Sequence, residues 1–358
     1  MKSCWLFSHI ATSTCFFVLL LCSTTSIAAT KLEPGETILA VQAFGDSFLD
    51  TGNNNHLISI TKSDFPPYGV DFQGGKPTGR FSNARVVSDL TAKGLGVKAL
   101  LPSYSDPNLQ SKDLATGLSF ASGGAGYDVL SSKINRVIPL STQLKFFKDY
   151  ISKLRNVVGL ERSQTIIANS LLLISGGTND ILFSYFGTTI RKSQYDVPTY
   201  TDLLATWASS FFKELYALGA RKFAVLSTCP VGCLPFSRTI RGGLRRKCDE
   251  EMNNAVQLFN VKLSSVLDSL NRELPASKFV YIDFYNPILD LVQQPNKFGY
   301  EISEKGCCGT GLVETAALCN KLSHICSNIS AYVFFDSIHL TESAYKTIVS
   351  QIIKQLFH

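Results

Sequence analysis

The residues of this chain best suited to covalent chemistry are a serine and a histidine far apart in sequence. Ser47 stands in Phe44-Gly45-Asp46-Ser47-Phe48-Leu49-Asp50, directly after the apolar run at 38–43. That run reads as a buried strand, and α/β sheets place their chemistry beyond the carboxyl ends of strands. Gly45 keeps the turn tight and leaves room beside the serine. A serine hydroxyl is a poor nucleophile at neutral pH. It needs an adjacent base, and that base needs an orienting group. His339 follows Asp336 by three residues, a spacing that lets the carboxylate reach the imidazole within one turn. Among the other histidines of the mature chain, His56 ends an asparagine run with no orienting acid beside it. His324 lies among late cysteines and reads as a surface residue, and His358 is terminal. Ser47, Asp336 and His339 are therefore the candidates for an acyl-transfer triad. Gly-Asp-Ser alone is ordinary turn composition; its partners give it weight.

Positioning these side chains requires a sheet. Further strands are predicted at 118–121, 171–175, 223–227 and 279–282, and helices at 83–94, 143–157, 200–218 (starting nearer Asp202), 250–274 and 341–356. In this reading Asn83 caps the first of these helices. The alternation predicts an α/β fold, a three-layer α/β/α sandwich on a five-stranded parallel sheet with right-handed crossovers and the flavodoxin-like order 2-1-3-4-5. Asn179 follows the third strand in Gly176-Gly177-Thr178-Asn179-Asp180, where a side-chain amide can aim an N–H at a developing oxyanion. The glycine-rich turn at 122–126 lacks both a P-loop lysine and G-x-G-x-x-G, so a nucleotide site is not expected. Asp46, Asp50 and Asp180 read as turn-holding residues, and Arg80 as one half of an internal ion pair.

Composition fits a secreted globular protein. The 358 residues are 45 % hydrophobic and carry a formal charge of +6. The one basic cluster, Arg238, Arg241, Arg245, Arg246 and Lys247, lies in a glycine-containing loop with no nucleic-acid-binding fold behind it. It reads as a solvated loop. Lys2, the apolar stretch at 15–22 and Ser26-Ile27-Ala28 read as a signal peptide over 1–28, leaving one domain over 29–358. No segment reaches the roughly 20 apolar residues needed to span a bilayer. Seven of ten cysteines lie in the mature chain, an odd count that leaves one unpaired. Cys307-Cys308 lacks zinc-ligand spacing, and Asn328-Ile329-Ser330 is a glycosylation sequon.

Several blocks occur together: FGDSFLDTGNNN (44–55), PPYGVDFQGGKPTGRFSNAR (66–85), SFASGGAG (119–126), GGTND (176–180), GARKFAVLSTCPVGCLP (219–235), CCGTG (307–311) and FFDSIHLTESAY (334–345). Over nearly the whole mature chain this resembles the plant GDSL esterase/lipase family, a branch of the SGNH hydrolases. The resemblance implies the SGNH hydrolase fold, with Ser47 as nucleophile, His339 as general base and then acid, and Asp336 as its orienting carboxylate. It also implies an oxyanion hole from the Ser47 N–H, the Gly123 N–H (or that of its neighbour Gly124) and the Asn179 side chain. No metal or cofactor is called for. Cys229, where the family commonly has proline, would be the free thiol; Cys233 would pair with Cys248, and the last four cysteines would form two bridges of open connectivity. The chain departs from the pattern at Ala84, Ser119, Phe335 and Leu340, and Leu340 in place of proline is expected to loosen the His339 loop. No G-x-S-x-G elbow is present, so this is not an ordinary α/β-hydrolase. The expected function is a secreted serine carboxylester hydrolase acting on lipid or other acyl esters. The alternatives are an acyltransferase using the same residues on cuticle or phenolic esters, and a non-catalytic wall-binding protein.

Overall fold

Four short strands carry the sheet: β1 (Ala40–Phe44), β2 (Ser170–Ile174), β3 (Lys222–Leu226) and β4 (Lys278–Ile282). Every residue of β1, β2 and β3 is buried. Successive strand side chains point to opposite faces, so complete burial requires cover on both. The strands pair in the order β1-β2-β3-β4, all parallel and without a register break. The structure is a computed structural model that describes residues 30–357; the leader expected over 1–28, and His358, lie outside the described residues.

The strand expected at 118–121 is instead an extended segment along the free edge of β1. The Ala43 N–H donates to Leu118 O (3.0 Å) and the Phe120 N–H to Ala43 O (2.7 Å), forming one parallel bridge. Gly117, at φ 96°, turns the chain just before it, with Val41 O only 2.0 Å from where a Cβ would stand. The sheet therefore has four strands and a bridged edge, not five strands. A second pair, β5 (Ile302–Gly306) with β6 (Tyr332–Phe334), is also parallel and was not anticipated.

Six helices frame the site: α1 (Val87–Gly94), α2 (Val129–Asn135), α3 (Leu140–Val158), α4 (Val197–Ala217), α5 (Glu250–Glu273) and α6 (Glu342–Phe357). α1 packs on α6, and α4 on α5, so two helical layers enclose the sheet. Two starts differ from the periodicity. α4 begins before Tyr200 because the Asp196 carboxylate accepts the Thr199 N–H and Pro198 suits a first turn. α1 begins four residues late because Asn83 serves another helix: its Oδ1 accepts the Glu342 N–H at the start of α6 (2.8 Å).

Among the described residues three disulfides form, Cys233–Cys248, Cys307–Cys326 and Cys308–Cys319. Cys229 is free and buried, and burial pushes its thiol up to about 12. The basic loop is solvated, with Arg241, Arg245 and Lys247 exposed, and two of its arginines are also tethered. Arg241 pairs with Asp249 and Glu251 (both 2.7 Å), and Arg246 donates to Glu304 O (2.8 Å). Among the described residues no helix is long and apolar enough to cross a membrane.

Arg80 does hold an internal ion pair. Its Nε and Nη2 donate to the two Asp89 oxygens (2.7 and 2.8 Å), and it also reaches Thr51 O and Leu101 O. Neither side chain is more than 7 % exposed. Removing one partner leaves a buried charge alone, which typically costs about 3–5 kcal/mol. Arg80→Met should lower the urea unfolding free energy by that amount; a loss under about 1 kcal/mol would remove this pair from the account of stability.

Candidate active site

The turn after β1 is fixed from three sides. Gly45 adopts φ 119°, and a Cβ there would lie 1.8 Å from Ser175 O at the end of β2. Gln143 of α3 clamps the same peptide, accepting the Gly45 N–H (2.9 Å) and donating to Gly45 O (3.0 Å). Asp46 accepts the Phe48 N–H. Asp50 accepts the Gly52 and Asn53 N–H groups (2.8 Å each). Ser47 is thereby presented on a rigid corner.

His339 arrives from the loop between β6 and α6. Its Nε2 lies 2.8 Å from Ser47 Oγ, and its Nδ1 2.7 Å from Asp336 Oδ2. The three residues expected as a triad are thus in hydrogen-bonded contact. Asp336 is fully buried and accepts five hydrogen bonds, from His339 Nδ1, Tyr68 OH, Thr315 Oγ1 and the N–H groups of Ile338 and His339. Burial works against its ionisation, but the His339 charge and these donors outweigh it and hold the carboxyl below its usual range. The expected loosening at Leu340 is not seen. Leu340 is buried and bridged to Phe334, its carbonyl accepts from Ser82 Oγ (3.0 Å), and His339 O accepts the Phe335 N–H (2.8 Å).

Of the groups expected to donate to an oxyanion, one is otherwise engaged. The Gly123 N–H, expected to face the site, is donated to Asp50 Oδ2 (2.8 Å). The next residue, Gly124, lines the cavity instead. Its φ is 89°, and an added Cβ would meet Asn135 Cβ at 2.8 Å. Among the described residues neither its N–H nor that of Ser47 has a protein acceptor. Asn179 donates one amide hydrogen to Ala125 O (2.8 Å), which orients the group and leaves the second hydrogen available. His56 and His324 are exposed and lie outside the triad, and Asn328 is exposed.

Beside the triad lies a cavity of about 300 Å³. Its polar wall holds Ser47, His339, Asn179 and Gly124, and its apolar wall Phe81, Phe183 and Leu318. The loop bearing Thr315 to Leu318 is held by Cys308–Cys319, and the Ala316 N–H donates to Tyr68 OH (2.8 Å). Among the described residues no group of His, Cys, Asp and Glu is arranged to hold a metal ion.

A family model described as GDSL-like Lipase/Acylhydrolase matches residues 41–352. The chain belongs to the GDSL lipase/acylhydrolase family. As a GDSL hydrolase it acts on carboxylic esters. Two proteins of Arabidopsis thaliana are similar along nearly their full length. GDSL esterase/lipase EXL3 is 49 % identical over 333 residues, covering 93 % of this chain and 91 % of that one. GDSL esterase/lipase EXL2 is 43 % identical over 351 residues, covering 94 % and 93 %.

Sequence reasoning missed several residues of this GDSL site. Tyr68 sits in a run legible only as a turn, yet it bonds Asp336 across 268 positions. The asparagine run read as loop composition, but Asn53 donates to Ser119 O and Ala121 O and Asn54 to Gly123 O, tying the serine loop to the edge segment. Asp180 does hold its turn, accepting the N–H groups of Tyr127, Asp128 and Gly177.

Burial raises three of these carboxyls, Asp46 and Asp50 to about 6 and Asp180 to about 7, against hydrogen bonds that oppose the shift. Between about pH 5 and 7, above the range in which lowered carboxyls such as Asp336 matter, these three groups hold more protons in the folded chain than in the unfolded one, and stability falls as pH rises. Urea midpoints should drop across that window, and Asp180→Asn should flatten the slope by up to about 1.4 kcal/mol per pH unit. A parent protein with no slope would mean that the three carboxyls are ionised throughout.

Proposed function

We propose that this GDSL hydrolase is a secreted serine esterase that works through an acyl-serine intermediate, with residues 29–358 acting as one catalytic unit. The observation that carries the reading is the unbroken chain Ser47 Oγ–His339 Nε2 (2.8 Å) and His339 Nδ1–Asp336 Oδ2 (2.7 Å) at the wall of an apolar cavity. With Nδ1–H donated to Asp336, Nε2 carries the lone pair that accepts the serine proton. Ser47 Oγ then attacks the ester carbonyl, and the imidazolium is stabilised by Asp336. The carbonyl oxygen becomes an oxyanion facing the Ser47 and Gly124 N–H groups and the Asn179 amide. Collapse of this intermediate breaks the bond to the alcohol oxygen, which leaves with the proton from His339. Water enters, gives a proton to His339, attacks the acyl carbon and releases the acid with Ser47 restored. This route needs no metal or cofactor.

The distance between the histidine and the serine supports general-base catalysis, for which about 2.6–3.2 Å is the working range. Three disulfides, the exposed Asn328 sequon and the leader-like start support passage through an oxidising, glycosylating compartment.

Hydrolysis of p-nitrophenyl acetate and butyrate should be abolished in Ser47→Ala and reduced about 10²–10³-fold in Asn179→Ala. Activity retained by Ser47→Ala would overturn the serine assignment. Ester turnover that requires an added alcohol would make the chain an acyltransferase. Protein recovered from the medium of expressing plant cells should gain gel mobility on glycan removal, and Asn328→Gln should already migrate at the faster position. An unchanged shift in that variant would rule out Asn328 as the attachment point.

A further inference from the structure

The two oxygens of Asp336 are used differently. Oδ1 accepts the N–H groups of Ile338 (2.8 Å) and His339 (2.7 Å), bonds that belong to the turn itself. Oδ2 accepts His339 Nδ1 (2.7 Å), Tyr68 OH (2.6 Å) and Thr315 Oγ1 (3.1 Å). A carboxylate oxygen offers about two lone-pair sites. Three donors therefore compete for the oxygen that holds the imidazole, and the Tyr68 bond is the shortest of them.

The ring of His339 is held in place without the two hydroxyls. Its own N–H and Nδ1 bond Asp336, and it packs against Phe81 and Phe48, with centroids 4.8 and 6.1 Å away. What the hydroxyls change is charge. A donor on Oδ2 draws electron density away from the bond to Nδ1, so Asp336 supports an imidazolium less strongly. Tyr68 suits this task. Its fully buried ring lies among Phe65, Phe81 and Phe335. Burial and the Asp336 charge hold its phenol far above its ordinary value, so it remains a donor at any ordinary pH.

Tyr68 is also joined to the cavity. Its oxygen accepts the Ala316 N–H (2.8 Å), and accepting one hydrogen bond strengthens the one it donates. Thr315 and Ala316 are adjacent in the cavity wall. Two neighbouring residues there thus act on one oxygen, Thr315 directly and Ala316 through Tyr68. The other ionisable groups that face the pair are Asp46 in the serine turn, whose charge acts on His339, and Tyr345 of α6, which burial keeps protonated.

We propose that Tyr68, seconded by Thr315, is a positioning residue that sets the strength of the base. By sharing Asp336 Oδ2 it weakens the hold on the imidazolium, and ester hydrolysis persists to lower pH than Asp336 and His339 alone would allow. The proposal rests on the reading of His339 as general base. The test records kcat/KM for p-nitrophenyl acetate from about pH 4 to 9 in the parent, Tyr68→Phe, Thr315→Val, the double variant and Ser47→Ala. Activity falls on the acid side as the base becomes protonated. In Tyr68→Phe the midpoint of that limb should move up by about half a pH unit or more. Thr315→Val should move it the same way, and the double variant furthest. Asp46 and Tyr345 are present in every variant, so they do not produce the difference. A midpoint unmoved in folded Tyr68→Phe would overturn the proposal even where kcat falls, since a purely structural role lowers activity without shifting the limb. Where Tyr68→Phe does not fold, Thr315→Val, at a half-buried residue, decides by the same criterion. Either result leaves the serine mechanism standing. Activity retained by Ser47→Ala, or a parent with no acid limb, would instead remove the mechanism on which the proposal rests.

Discussion

A carboxylate with no access to water has to be compensated by the protein alone, and Asp336 is the point where this chain meets that demand. Burying an uncompensated charge costs far more than a folded domain can absorb. The compensation draws on distant parts of the sequence: Tyr68 from the proline-rich loop, Thr315 from the disulfide-bound loop, and the backbone and ring of His339. Each of those segments also forms part of the site. The electrostatic need of one side chain therefore assembles the wall of the cavity, the orientation of the imidazole and the entry to α6. Tyr68 donates its proton to Asp336 and accepts the Ala316 N–H, so the cavity loop is joined to the triad by a single hydroxyl.

The same device recurs at the other strand ends. Asp50 and Asp180 are fully buried and hold backbone N–H groups from their own turns and from neighbouring ones. Backbone donors that would otherwise be orphaned at the sheet edge are satisfied by carboxyl oxygens, and loops carrying no regular structure become rigid. Preorganisation of this kind is what an oxyanion site requires, since donors that must reorient during reaction lose much of their value.

Much of this was legible in the sequence, and the misses have physical causes. Strands β1 to β4 and the long helices follow from hydrophobic period, and the Ser47, Asp336 and His339 contact from residue type and block order. What period does not carry is tertiary capping. Asn83 looks like the start of its own helix but serves α6, 259 positions away. The edge segment at 118–121 has strand composition, yet it makes only isolated bridges at Ser119, to Ala43 and to Ser103, rather than a ladder. The one-residue step from Gly123 to Gly124 depends on which N–H Asp50 takes, and that is fixed by three-dimensional register rather than by composition. Tyr68 was hidden because an aromatic in a turn gives no period at all.

Ser47 and His339, the nucleophile and base of the proposed mechanism, are separated by 292 residues of chain. During synthesis Ser47 emerges early and then waits for most of the polypeptide to follow before an imidazole exists to activate it. Any fragment that stops before His339 carries the serine and no base. On the proposed mechanism a ribosome-bound or prematurely terminated chain therefore lacks the base its serine needs, and the pair is completed only by the loop that leads into α6.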